Sequence, residues 1–424
     1  MDAVTKKSIP GWIILLLITP VYFFSNLQKV IIPGAVFDEL QQMFTLDAAG
    51  VTRIGAMFLG VYAVSQLIIG VLVDRYGGAR VIIFGGTLFC IGSILSAFGF
   101  SLELLYFSRL LTGFGAASIY LSMVKEIGRV AGSKLPLVLG VATIIGYAGA
   151  ITGASPFIAG VDKFGYFTMV LGSGIIMTLF YLAYVAVAVR DNFPSVERSV
   201  KFSIPAYLNV FKSRQNVALM LSVGISFGTY FALQSTIGKK FLEDFCHLSP
   251  SASGLVLTVT MIIATVNGFI AANVSSWINN RRRPLVIFSG IGCLAGALLI
   301  LAGVWQNTGA FLPVAGMIVM AFAGNIAPIF VAVLKESNPE HSFGTSVCVC
   351  NAFAYAVSAG FGAGAGKLMD IFPPETIEGI KIYGKNSYLL VFAVLAAVAV
   401  IAGLLSLLIR ETYGKPFTTT ETQD

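Results

Sequence analysis

Charge is what this 424-residue chain has least of: Asp, Glu, Lys and Arg make up 11% of it, against 57% hydrophobic residues. Soluble domains carry about 25% charged residues. With a mean hydropathy of +0.87, lipid must be the solvent for most of the chain. Histidine is almost missing: His247 and His341 are the only two, and both lie between apolar runs. No HExxH, nucleophile elbow or Walker loop accompanies them. An embedded enzyme needs such a cluster, so neither catalysis nor a metal or other cofactor is expected. Five cysteines are scattered (Cys90, Cys246, Cys293, Cys348, Cys350). Cys348 and Cys350 stand two apart, which suits neither a zinc pair nor a redox CxxC, so they read as small packing residues. The net charge of +7 is dispersed between apolar runs, not gathered on one face, which excludes nucleic acid as a partner.

The chain is rich instead in apolar windows of the ~20 residues that a bilayer-crossing helix needs. Twelve are predicted: 11–34, 48–72, 80–98, 103–124, 135–158, 167–189, 216–238, 253–276, 284–304, 309–333, 343–365 and 386–409. Strands are excluded, because no window alternates strictly and an open sheet cannot satisfy its backbone in hydrocarbon. The first window follows a basic start but runs on through FFSNLQKVIIPG, so it reads as a retained span and not as a signal peptide. Of 27 Lys and Arg, eighteen fall in loops on the side of the two termini and six on the other side, with three in or at the rim of spans. That bias places both termini in the cytoplasm. Short outer loops and no outward N-x-S/T sequon fit a bacterial inner membrane. The charged stretch 190–215 divides the spans six and six. The expected organisation is an N-terminal bundle (1–189), a cytoplasmic central loop (190–215) and a C-terminal bundle (216–424). Halves of equal span number suggest a duplicated transporter with its site near the midplane.

Between the second and third windows, GVLVDRYGGAR (70–80) concentrates an acid, two arginines and three glycines. Gly77 permits the positive φ of a short reversal. Asp74 is placed to cap a neighbouring helix N-terminus and meet its positive dipole end, and Arg75 and Arg80 can bind carboxylates or helix C-terminal carbonyls. Gly70, Asp74, Arg75, Gly77 and Arg80 resemble the loop signature of the major facilitator superfamily. RLLTGFGAA (109–117) resembles a second motif of that family through Arg109, Gly113 and Gly115. With the twelve spans and the central loop, the resemblance covers essentially the whole chain. It implies an all-α membrane protein of two pseudo-symmetric six-helix bundles, rocking about a central cavity lined by spans one, four, seven and ten. It also implies that Asp74 faces the start of span eleven near Gly344, Thr345 and Ser346. Drug/proton antiporters of the family carry Gly-Pro in span five; here Ser155 precedes Pro156, which disfavours that subtype.

Ionisable residues inside a membrane point to function by default. Lys29 and Arg109 are the two candidates, and no carboxylate lies at mid-span to balance them, which leaves room for an anion. Lys29 either lines the cavity or snorkels to the outer interface. Arg109 either meets the anion or bonds helix carbonyls. The further candidates in the first half are Tyr22, Asn26, Gln28, Tyr62, Gln66 and Tyr120. In the second half they are Tyr230, Gln234, Asn267, Asn325, Asn351 and Tyr355, each of which could equally be a helix-to-helix hydrogen bond. The glycine run SAGFGAGAGK (358–367) marks the outer end of span eleven either as a bend or as a close-packing face. The expected activity is secondary transport of a small polar or anionic organic solute by a monomer in the bilayer, with proton symport, exchange and facilitated diffusion all open. Efflux of amphiphilic compounds (drug- or siderophore-like) and a non-transporting membrane sensor are the alternatives.

Overall fold

A computed structural model describes residues 11–131, 135–190 and 204–415. Half of the expected central loop (191–203), together with Lys6, Lys7, Lys134, Arg198 and Lys201, lies outside the described residues. The first half of the chain forms α1 (Gly11–Val30), α2 (Phe37–Phe44), α3 (Ala48–Tyr76), α4 (Gly78–Leu95), α5 (Leu102–Ala131), α6 (Leu135–Thr152) and α7 (Ser155–Arg190). The second half opens with α8 (Ile204–Val210), α9 (Arg214–Ala232), α10 (Gly238–Asp244), α11 (Pro250–Trp277) and α12 (Arg283–Gln306). It continues through α13 (Phe311–Gly324), α14 (Ala327–Ser337), α15 (Glu340–Met369) and α16 (Lys385–Ser406).

Among the described residues, eleven helical stretches are long and apolar enough to cross a membrane, and Leu137–Thr152 is a shorter apolar helix. The twelfth pass comes from a break inside α7. Gly165 has φ +80° there, a value only glycine adopts without strain, and Gly160 packs on the Met169 side chain across the break. Before the break the chain prolongs α6, whose Gly146, Gly149 and Gly153 meet Tyr22, Phe23 and Val30 in ascending order along α1. After it, Tyr166 bonds Ser96 and Tyr181 bonds Ile83, so this part runs antiparallel to α4.

Among the described residues, the expected fifth span is interrupted at Gly153–Ala154 between α6 and α7, and three more expected spans are not uniform α-helices. The first leaves the helical path at Ile32 (φ −120°, ψ 114°). The seventh passes through a wider turn at Leu233–Ile237. The tenth is interrupted at Asn325, where α13 gives way to α14. Outside the expected spans, β1 (Glu375–Ile377) and β2 (Ile380–Ile382) form a small antiparallel hairpin. It lies in a loop between spans, where water can satisfy its edges. α15 is unbroken through the glycine run of span eleven, and a Cβ on Gly366 would lie 2.6 Å from the Ala48 carbonyl. Backbone approach of this kind is how membrane helices associate without a hydrophobic drive.

Candidate substrate cavity

Contacts between the two halves concentrate at the end of the bundle away from the termini, the far end. There Lys240 of α10 donates to Asp38 of α2 at 2.7 Å, and Ala48 and Ala49, opening α3, donate to Asp370 at the end of α15. Ser155 N–H donates to Thr258 of α11 at 3.0 Å, and a Cβ on Gly34 would stand 2.6 Å from the Ser235 carbonyl. Nearer the termini the halves meet along α3 and α15, where Asn351 donates to Gln66 at 2.5 Å.

Below that closed end lies a cavity, with about 850 Å³ of space when the open solvent at its mouth is counted. The first half contributes Asn26 and Lys29 from α1 and Tyr147 and Ala150 from α6. The second half contributes Phe227, Tyr230 and Phe231 from α9, Met261 and Thr265 from α11, Asn325 and Phe330 beside the α13–α14 break, and Asn351 and Tyr355 from α15. Lys29 is the one charged residue among these. It is buried, and its Nζ donates to Asn26 Oδ1 at 3.3 Å and to the Tyr62 hydroxyl at 3.2 Å. The ammonium also stands 4.4 Å from the Tyr62 ring centre and 5.4 Å from that of Tyr355. Among the described residues no carboxylate lies within ion-pairing distance of it. Lys29 therefore lines the cavity and does not snorkel.

Arg109 lies elsewhere. It is fully buried, and its guanidinium donates to the Gln28 carbonyl at 3.1 Å, the Ile32 carbonyl at 3.2 Å and Gln28 Oε1 at 3.4 Å, over the Phe58 ring. These carbonyls are released where α1 leaves the helical path, in residues that are buried, so the arginine supplies the missing donors. It is absent from the cavity lining, as is its partner Gln28. Asn267 does the same for α13: its Nδ2 donates to the Asn325 carbonyl at 3.1 Å, while Asn325 Nδ2 donates to Ala264. Gln234 bonds the Leu257 carbonyl and Thr260 on α11, and Tyr22 stacks against Tyr120. Of the fourteen expected contact residues, the structure brings Asn26, Lys29, Tyr230, Asn325, Asn351 and Tyr355 to the cavity wall, with Tyr62 behind Lys29.

The family model of the Major Facilitator Superfamily matches residues 14–363. The chain belongs to that superfamily. This transporter is 26% identical over 318 residues to monocarboxylate transporter 11 of Mus musculus, covering 71% of this chain and 68% of the relative. A 107-residue stretch is 33% identical to monocarboxylate transporter 2 of Homo sapiens, covering 25% of this chain and 22% of the relative. Its fold matches a bacterial homolog of the human lysosomal transporter Spinster, solved inward-facing and unoccupied, with a TM-score of 0.73 at 15% identity over 96% and 99% of the two chains. It also matches the nucleoside transporter NupG, with a TM-score of 0.68 at 16% identity over 93% and 98% of the two chains.

The first of the transporter's two motifs occupies the near end, and the second lies deeper along α5. Gly77 has φ +85° and joins α3 to α4. A Cβ on Gly113 would lie 2.7 Å from the Phe58 carbonyl, and one on Gly115 2.5 Å from that of Gly85, so these glycines seat α5 on α3 and α4. Gly70 faces Cys348 of α15. Arg80 donates to the Tyr76 carbonyl, and Arg75 lies against the Tyr76 ring. Asp74 differs from expectation. Its carboxylate is half exposed and takes Lys125 of α5 at 2.9 Å, not the start of α15. The cap expected of it is made by a residue sequence reasoning passed over: the buried Glu126 accepts from Ala79 N–H at 3.0 Å and pairs with Arg129. The second half does likewise, with Glu411 accepting from Arg282 N–H and Glu336 pairing with the Arg282 guanidinium.

A second group also went unrecognised. In KKFLED (239–244), Lys239 pairs with Glu243 and Lys240 with Asp244, and both lysines face Asp38. The i,i+4 spacing of two lysines ahead of two acids was the available signal, but loop assignment masked it.

Proposed function

We propose that the protein is a carrier of small organic anions bearing one carboxylate, with Lys29 as the partner of the anionic group. The observation that carries the reading is an ammonium in the cavity wall held by one amide, one phenol and two ring faces, with no carboxylate to neutralise it. Burying a charge without a counter-charge is costly, and a carboxylate arriving from solution removes that cost. The names of the monocarboxylate transporters above agree with it.

The transporter works by alternating access, as a monomer, with bundles 1–189 and 216–424 moving about the 190–215 connection. The bias of Lys and Arg puts the near end in the cytoplasm, and a bacterial inner membrane suits the short outer loops. In that orientation the far end is the outer gate, here closed, and the cavity faces inward. Asp74, Arg75, Arg80 and the glycines at 70, 77, 113 and 115 serve the inner gate. Proton symport fits the far-end cluster, where Asp38, Glu243 and Asp244 outnumber Lys239 and Lys240.

Counterflow into liposomes carrying the purified full chain tests the reading with matched pairs differing only in charge, a carboxylate and its primary amide. The acids are expected to exchange and the amides not, with exchange lost in Lys29→Gln. Equal transport of acid and amide, with Lys29→Gln as active as wild type, would sink it.

A further inference from the structure

We infer that the cargo is a monocarboxylate carrying an aromatic ring, and that Phe227, Phe231 and Tyr355 select that ring. This rests on the anion reading and concerns what lies beyond the carboxylate.

The first observation is the polar inventory of the wall. Asn26 donates to the Tyr22 carbonyl and accepts from Lys29. Asn325 donates to the Ala264 carbonyl and accepts from Ala327 N–H. Asn351 donates to Gln66, and Thr265 donates to the Met261 carbonyl. The amides and the Thr265 hydroxyl of the wall are thus already engaged with the protein, and the Tyr230 hydroxyl donates to the Thr260 carbonyl at 3.5 Å, which leaves the phenols of Tyr147 and Tyr355 as the other polar groups of the wall. A sugar or nucleoside, with a hydroxyl on most carbons, would bring more polar groups than these two can meet against Phe227, Phe231, Met261 and Phe330 and leave the rest unpaired.

The second observation is the arrangement of rings. Tyr355 meets Phe227 at 5.5 Å and 76°, Phe231 at 5.7 Å and 82°, and Tyr62 at 4.7 Å and 64° between ring centres and planes. Tyr62 is also the ring beneath Lys29. The ammonium therefore stands at one edge of a continuous aromatic cluster that runs from α3 through α15 to α9. A carboxylate on Lys29 directs its substituent along that cluster, where edge-to-face packing with a ring is favourable.

The third is charge. Lys29 is the one charged residue of the wall, so the cavity discriminates against dicarboxylates, whose second charge would face phenyl rings.

Titration calorimetry and counterflow on the intact purified chain test the inference with phenylacetate, indole-3-acetate, lactate, succinate and phenylacetamide. The aryl acids are expected to bind about tenfold tighter than lactate, the equivalent of one well-packed ring, and succinate not to compete. Phe231→Leu, which keeps apolar volume, and Phe227→Leu are expected to lower the ratio of aryl-acid to lactate affinity at least threefold. Lys29→Gln is expected to remove binding of every acid. Equal or tighter binding of lactate, or loss of all acids in parallel in both leucine variants, overturns the aromatic assignment and leaves the anion reading standing. Phenylacetamide binding as tightly as phenylacetate, unaffected by Lys29→Gln, overturns the anion reading instead.

Discussion

The carboxylate of Asp370 accepts the backbone N–H of Ala49 at 2.7 Å and of Ala48 at 3.1 Å, so the end of α15 caps the start of α3. Tyr383 completes the contact, accepting from Ala48 N–H and donating to Asp370, both at 2.7 Å. At the other end of the same helix pair the relation is reversed in sequence: Asp74 closes α3 beside the start of α15, but its carboxylate is held by Lys125. One pair of helices thus carries a carboxylate at each end, and here the far one alone bridges the pair. Exchange of the two caps is a simple physical basis for opening one gate as the other shuts.

Asp370→Asn keeps the shape of the cap and removes its charge. A charged helix cap is worth about 1 kcal/mol, so the closed-to-open ratio of the far end should fall about fivefold. Spin labels at Gln42 and Glu378, which meet across the halves at 3.2 Å, report the change as a longer distance population. An unaltered distribution would count against the cap as part of the gate.

The Asp38–Lys240 contact predicts a pH profile. Burial pushes the Asp38 carboxyl up, but Lys240 and then Lys239 outweigh it and hold it below its usual range. An acid with a depressed folded pKa stabilises above its unfolded value and loses that stability as pH falls through the folded one. The Asp38 contribution to far-end closure should therefore be intact at neutral pH and be lost below about pH 4. Lys240→Gln should cost about 3 kcal/mol and move the loss to higher pH, and adding Asp38→Asn should restore a good part. Melting temperature against pH in detergent decides it; a profile unmoved by Lys240→Gln refutes the pairing.

Arg109 and Lys29 should separate cleanly. Arg109→Gln leaves the Gln28 and Ile32 carbonyls short of donors, for a loss of about 2 kcal/mol with ligand selectivity unchanged. Lys29→Gln should leave the melting temperature equal or higher, because it removes an uncompensated charge, while abolishing the shift produced by acids. The opposite pattern in a thermal-shift series would reverse the two roles.

Glu126→Gln should destabilise by about 1–2 kcal/mol, since it weakens the buried cap on α4 and the pair with Arg129. Asp74→Asn, on a half-exposed pair, should change stability by less than ~0.5 kcal/mol yet slow counterflow. Equal stability losses for the two would remove the distinction between a structural cap and a gate residue.

Much of the architecture was legible along the chain, because a helix in lipid must announce itself as an apolar run of fixed length. The near-end turn at Gly77 was readable as well, since backbone geometry leaves few residues for it. What could not be read was where a span stops being a helix. The departures at Ile32 and Asn325 are tolerated because Arg109 and Asn267, on other helices, take up the freed carbonyls, and nothing local encodes that.

The same limit separates the two cations. In sequence, Lys29 and Arg109 are each a single charge in an apolar span, and Lys240 is a charge in a loop. Their roles follow from partners distant along the chain: Tyr62 for Lys29, Ile32 for Arg109, Asp38 for Lys240. Composition and the length of the apolar runs determined the solvent and the helices, because those are sums over neighbouring residues, and the resemblance to the family rested on the motif residues themselves. The tertiary structure alone decided which charge is left without a counter-charge, because in a low-dielectric interior that depends on what lies within a few ångströms.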